Sequence, residues 1–236
     1  MLAKRIIPTV LVRGKTAYKG PGFGAQCTRS VGSALSVCRT HARRGVDELL
    51  ILDIGATPEG RGPDLDLVRE LSEGCFIPIT VGGGVRTLGD IDALLRAGAD
   101  KVAIGTAWRN HAGFLREAAE RFGVQALVGI SENRHINLAG ISSSVGDRTV
   151  VGEMVLQSRD HEAAQNGYVL GVLRHFTAFT DVPVIISGGC SGLEDMLTAI
   201  RAGADGVAAG ALFQFTDTTP KDCARYLKAN GIEVRL

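Results

Sequence analysis

Residues 78–108 read PITVGGGVRTLGDIDALLRAGADKVAIGTAW, and 105 positions later residues 183–213 read PVIISGGCSGLEDMLTAIRAGADGVAAGALF. Aligned without gaps, the two copies share thirteen of 31 positions, among them Gly83/Gly188, Gly84/Gly189, Asp90/Asp195, Gly98/Gly203, Asp100/Asp205 and Gly105/Gly210. Each copy opens with a β-branched run, turns on glycine, continues at helical spacing to Ala-Gly-Ala-Asp, and closes with a second apolar run and another glycine. Each is therefore a β-α-β unit. Two such units in one chain predict a (β/α)8 barrel with a two-fold half-barrel repeat. Ligands meet a parallel barrel at the carboxyl ends of its strands, where glycine lets backbone N–H groups close on phosphate oxygens. Gly82, Gly83, Gly84, Gly105 and Thr106 are thus expected to form one phosphate site, and Gly188, Gly189, Gly210 and Ala211 a second.

Working outward, 236 residues suffice for one barrel, and no linker-like run interrupts them, so residues 1–236 are expected to form one domain. The balance of 26 basic against 25 acidic residues gives no field that would favour nucleic acid or an anionic membrane, so phosphate must be held by local geometry. The opening MLAKRIIPTVLV is too short an apolar run to span a bilayer, which implies a cytoplasmic protein. Cys27, Cys38, Cys75, Cys190 and Cys223 show no C-x-x-C spacing and read as free thiols. His41, His111, His135, His161 and His175 have no metal spacing and read as surface or helix-end residues, so neither metal nor cofactor is expected.

In order, the pattern predicts strand 1 over 5–12, a Gly-rich loop holding Lys19 and the Gly-Pro-Gly-Phe of 20–23, and a helix over 31–44. Strand 2 follows over 48–54, then a helix over 64–73 entered through Pro63-Asp64. The first repeat copy supplies strands 3 and 4, and a helix over 111–122 buries Leu115, Ala118 and Ala119. Strand 5 is expected over 125–130 and strand 6 over 153–157. Between them SENRHINLAGISSSVGDRTVVG has no helical apolar stripe, so the barrel's helix there is expected to be absent or vestigial. A helix over 168–179, the second copy, and a last helix over 221–230 complete the count.

Four strands begin with a charge: Arg5, Glu48, Lys101 and Glu153. Two cations and two anions at a barrel's base can pair into a neutral ring, which reads either as a gate on the barrel axis or as solvated rim charges and a structural clasp. At the opposite end the acid–base inventory is thin. Asp53, Lys19 and Glu132 are the candidate catalytic residues, with Glu162 in the loop after strand 6. Asp53 reads equally as a structural carboxylate, and Lys19 either as a clamp on phosphate or as a solvated loop lysine.

MLAKRII, Lys19-Gly20, DELLILDI, PITVGGGV, GADKV, VGEMVL, Asn166-Gly167-Tyr168, the ISGG of 186–189 and the closing LKANGIEVRL resemble the cyclase subunit of imidazole glycerol phosphate synthase over nearly the whole chain. The resemblance implies a glutaminase subunit at the barrel base, ammonia crossing the interior, and a phosphorylated small molecule at the top. It places the family's gate on Arg5, Glu48, Lys101 and Glu153, its partner-facing aspartate on Asp100 and its loop lysine on Lys19. The family's two catalytic aspartates fall on Leu11 and Ser131, neither a proton carrier at neutral pH. Glu132 comes one residue late, and a one-residue shift in a strand turns a side chain to the other face. Glu162-Ala163 stands where the family has Asp-Gly. The chain also resembles a paralogous branch associated with amidation of cell-surface sugars, through RIIP, ATPEGR and PDLDLVRELSEGCFIP, which implies a sugar amidotransferase as a further partner. Three functions follow: an ammonia-conducting subunit of a glutamine-dependent amidotransferase with cyclase activity lost, a cyclase/lyase-type enzyme with altered residues acting on a phosphorylated substrate, or a non-catalytic scaffold.

Overall fold

The computed structural model of the chain describes residues 3–20, 29–107, 113–133 and 150–235. Strand β1 (Arg5–Arg13) leads into an antiparallel pair, β2 (Thr16–Lys19) and β3 (Arg29–Ser33), and then helix α1 (Ala34–Arg43). There follow β4 (Leu49–Asp53), α2 (Leu65–Gly74), β5 (Ile79–Gly82), α3 (Leu88–Arg96), β6 (Lys101–Ile104), α4 (Phe114–Phe122) and β7 (Leu127–Asn133). The chain continues through β8 (Glu153–Ser158), α5 (Leu170–Thr177), β9 (Val184–Ser187), α6 (Leu193–Arg201), β10 (Gly206–Ala209), α7 (Ala211–Phe215) and α8 (Pro220–Ala229). Strands β1 and β4 to β10 pair in parallel, and the β10–β1 pairing closes them into an eight-stranded (β/α)8 barrel.

Closure explains the composition of the strands. Both faces are covered, so β1 and β4 are almost continuously buried and apolar instead of alternating with polar residues. Parallel register keeps paired residues on one face. Ile7, Leu11, Leu50, Leu52, Ala103, Val128, Ile130, Val155, Ile185 and Ala208 cluster inside the barrel, while Ile6, Val10, Leu49, Ile51, Ile79, Val102 and Ile104 belong to the cluster that packs under the helices. Helix starts are fixed by side chains: Asp64 accepts from Leu67 N, and Thr87 with Asp90 and Thr219 with Asp222 form capping boxes.

Corresponding residues of the two repeat copies make corresponding contacts. Asp100 Oδ2 accepts from Ile79 N at 2.8 Å, and Asp205 Oδ2 from Val184 N at 3.0 Å, so each Ala-Gly-Ala-Asp ends by fastening the first strand of its own unit. Asp90 accepts from the N–H of Arg86 and Thr87, and Asp195 from the N–H and hydroxyl of Ser191.

Four expectations need correction. The loop expected to carry Lys19 is a strand, paired along Thr16↔Ser33 to Lys19↔Arg29, and the helix expected from residue 31 starts at Ala34 because residues 29–33 complete that pair. Strand 5 runs to Asn133, not to 130, since Ser131, Glu132 and Asn133 stay in register with β8. The helix expected over 168–179 is confined to Leu170–Thr177. The segment in which a helix was expected to be missing lies largely outside the described residues, as do residues 111 and 112 of the helix expected over 111–122. No helix among the described residues is long and apolar enough to cross a membrane, and no group of three or more His, Cys, Asp or Glu converges among them.

Candidate functional site

The amino end of the barrel is closed by charge. Arg5 Nη1 donates to Glu48 Oε2 at 3.0 Å and to Glu153 Oε1 at 2.7 Å, and Lys101 Nζ donates to the same two oxygens at 3.0 and 2.9 Å. Cation and anion thus alternate around a four-membered ring. The ring is inside the barrel, not on its rim: side-chain exposures run from 7% at Glu48 to 22% at Arg5. Burial alone would lower the Arg5 pKa, but the carboxylates of Glu153 and Glu48 outweigh it and hold the guanidinium above its ordinary value. Glu153 Oε2 is buried with no hydrogen-bond partner among the described residues. Above the ring the interior is apolar, with Ile7, Leu50, Val128, Val155 and Ile185. Asp100, exposed at the base, is committed through one oxygen to the β5 backbone. Phe76, between α2 and β5, is 96% exposed on this side of the barrel.

At the carboxyl end, carboxylates are tied to cations. Asp53, the last residue of β4, accepts from Arg61 at 2.7 and 2.9 Å and from the N–H groups of Gly55 and Ala56, so it fastens the loop that follows it. The Asp53 hydrogen bonds come first among the causes that raise the Arg61 pKa. Glu132 Oε2 accepts from Arg159 at 3.0 Å. Lys19 is not a solvated loop lysine: it is 1% exposed, donates to Thr9 O at 2.7 Å and sits 4.0 Å from Glu162 Oε1. Glu162 Oε2 accepts from Gln157 Nε2 at 3.0 Å.

The glycines divide by task. Gly83 and Gly188 both have positive φ, and a Cβ on either would collide with a carbonyl of the preceding strand, that of Asp53 or of Ser158. Gly84 and Gly189 repeat the arrangement one residue on, against Arg61 O and Gly167 O. These four let loops approach strand ends closely. A cavity of about 150 Å³ opens above β4 to β7, lined by Asp53, Gly83, Gly84, Gly105, Thr106, Glu132 and Arg159 among others. A hollow of about 450 Å³ adjoins it, with Thr57, Arg61, Arg86, Thr106 and Glu117 in its wall.

The pattern of the histidine biosynthesis protein family matches residues 5–219. The chain belongs to that family. It is 36% identical over 253 residues to the imidazole glycerol phosphate synthase subunit HisF of Dictyoglomus thermophilum, and 36% identical over 251 residues to that of Exiguobacterium sibiricum; in both cases the alignment spans 100% of each chain. The HisF of Dictyoglomus turgidum is 35% identical over 253 residues, again along the full length of both.

Within this HisF-like barrel, Leu11 lies on the inner face, 0% exposed and packed in the interior apolar cluster that Tyr18 joins. The expectation for Glu132 is overturned. β7 pairs with β8 as Val128↔Glu153, Ile130↔Val155, Ser131↔Leu156 and Glu132↔Gln157, so Glu132 shares the inner face with Val128 and Ile130, while Ser131 is in phase with Leu156 on the outer face. Motif position and strand phase disagree here by one residue, and phase decides where a side chain points. Arg61 and Arg159 were missed from sequence. Arg61 stands in the quoted ATPEGR, and Arg159 is two residues beyond Gln157, on the same parity; charge complementarity with Asp53 and Glu132 was the available signal.

Proposed function

We propose that this chain is a cyclase-type barrel subunit that receives ammonia from a glutaminase docked under its floor and conducts it to the mouth, with the cyclase reaction itself lost. The closed ring of Arg5, Glu48, Lys101 and Glu153 carries the reading. Charges taken out of water at four strand starts stabilise little by themselves, and arranged around the axis under an apolar interior they form a threshold for a small neutral molecule. The exposed Phe76 on the same face suits a partner surface. Loss of the cyclase is supported by Leu11, which places a hydrocarbon where the family carries one of its two aspartates, and by the cations that hold Asp53, Glu132 and Glu162. The test combines the chain with a class-I glutaminase and the bis-phosphorylated substrate of the family's cyclase. Glutaminase turnover is expected to rise at least tenfold with no imidazole product; appearance of product, or no activation, defeats the proposal.

A second reading has one observation in its favour. Glu132 faces the 150 Å³ cavity beside Gly83, Gly84, Gly105 and Thr106, so a carboxylate is in reach of a ligand seated there. On this reading the mouth acts on a phosphorylated small molecule through Glu132 and Arg159.

A further inference from the structure

Gly105 and Gly210 occupy equivalent places in the two repeat copies, at the ends of β6 and β10, and the space beside them differs. A Cβ built on Gly105 would find Ile130 O at 3.7 Å and Ile130 Cβ at 3.8 Å, ordinary contact distances. A Cβ on Gly210 would collide with Lys19 Nζ. Lys19 therefore fills, from the β2 strand, the volume that stays open on the first side.

The lysine donates to Thr9 O at 2.7 Å, and a carboxylate stands beside it. Glu162, 2% exposed, lies 4.0 Å from Lys19 Nζ and takes the Gln157 Nε2 hydrogen bond at 3.0 Å, so a cation and a neutral donor converge on a carboxylate. That is the donor set of an anion site, already holding an anion of the chain. The backbone that delivers Glu162 is strained in keeping with this: among the described residues the non-glycine positions with positive φ are Ala163 at 59° and Gln165 at 49°. Side chains disfavour that region, and it persists where surrounding structure enforces it.

We propose that the second half of the mouth is a self-occupied anion site, and that the protein consequently takes a ligand with a single phosphate, seated beside Gly83, Gly84, Gly105 and Thr106, and discriminates against one with a second phosphate at its far end. A phosphate brought to the second side would meet the Glu162 carboxylate in a space with little water to screen two like charges. On the first side Asp53 and Glu132 also line the 150 Å³ cavity, but each is met by an arginine at hydrogen-bond distance, Arg61 at 2.7 Å and Arg159 at 3.0 Å, and Gly105 is unobstructed. Lys19 and Glu162 are then specificity residues. This inference goes beyond the conduit reading and concerns what the mouth holds, whatever crosses the floor.

The experiment is calorimetric titration of the full chain with inorganic phosphate, and with a pentose monophosphate and the corresponding bisphosphate. One phosphate per chain is expected, with the bisphosphate bound no more tightly than the monophosphate. Glu162→Gln keeps the shape and removes the negative charge beside Lys19, so it should admit a second phosphate and improve bisphosphate affinity at least tenfold. Adding Lys19→Met to Glu162→Gln should return the stoichiometry to one. Two phosphates on the natural chain, a tenfold preference for the bisphosphate, no phosphate binding, or an unchanged stoichiometry in a folded Glu162→Gln would each overturn the proposal. Should Glu162→Gln not fold, the ranking of monophosphate against bisphosphate on the natural chain decides alone. Neither readout involves ammonia, so failure of glutaminase activation would leave this inference standing, and the reverse also holds.

Discussion

The floor and the mouth of the barrel use the same kinds of side chain in different topologies. At the floor each charge has two partners, Arg5 and Lys101 both bridging Glu48 and Glu153, and the four bonds run around the axis. At the mouth the pairs are local fasteners: Arg61 ties Asp53 to the loop after β4, Arg159 meets Glu132, and Lys19 meets Glu162. The shared ring ties four strand starts to one another, whereas each fastener fixes one loop or wall. On the proposed reading the floor is the part ammonia has to pass, and the mouth is the part that shapes what can settle.

The largest effect should come from cutting the ring. The Glu48 side chain is 7% exposed, and Glu48→Ala leaves two part-buried cations to share Glu153. Breaking a buried ion pair from one side costs roughly 3 kcal/mol or more, and a domain of this size loses about 2–4 °C of Tm per kcal/mol, so calorimetric melting should fall by ~6–12 °C. A clasp and a gate both predict that loss. Glutamine-dependent transfer compared with use of free ammonia divides them, because only a gate changes the ratio. A Tm moved by less than about 2 °C would mean that the ring contributes far less than its burial implies.

An intermediate effect is expected at Asp53. Asp53→Asn retains acceptors for the N–H groups of Gly55 and Ala56 but surrenders the charge that meets Arg61, which keeps Glu59 at 2.7 Å. A hydrogen bond to a charged group contributes about 1.5–3 kcal/mol; with Arg61 part-exposed, a loss of about 1–2 kcal/mol is expected. Hydrogen exchange should accelerate at Gly55 and Ala56 while the ring at the other end is untouched. Exchange spreading to the floor would show that the two ends are not independent.

What could be read from sequence follows how locally each feature is encoded. The glycines and aspartates of the repeat act on neighbours within one β-α-β unit, as Asp100 does on Ile79 and Asp205 on Val184, so their spacing foretold the barrel. The four floor charges were legible because Arg5, Lys101 and Glu153 open strands and Glu48 immediately precedes one. Lys19 was not: its burial depends on Glu162 and Gly210, distant in the chain, and on a β2–β3 pairing whose short strands carry little periodicity. Glu132 was misread because a motif from relatives was allowed to set strand phase, which the pairing with Gln157 sets instead.

That residue yields the smallest structural effect and the sharpest functional division. Glu132 and Arg159 are each about one-fifth exposed, so solvent screens their pairing, and pairs of this kind contribute at most about 1 kcal/mol. Glu132→Gln, which preserves shape and an acceptor for Arg159, should therefore shift Tm by no more than ~4 °C. If the mouth only guides ammonia, transfer to an acceptor should be unchanged, since no proton has to move at this position. If Glu132 is a general base, turnover should fall by about 10²–10⁴ with stability intact, and the loss should follow kcat with KM nearly constant. A fastener and a base thus separate on the pair of readouts: melting that drops along with turnover marks Glu132 as one more wall-forming contact, and turnover that drops alone makes the mouth an active site in which Glu132 moves the proton.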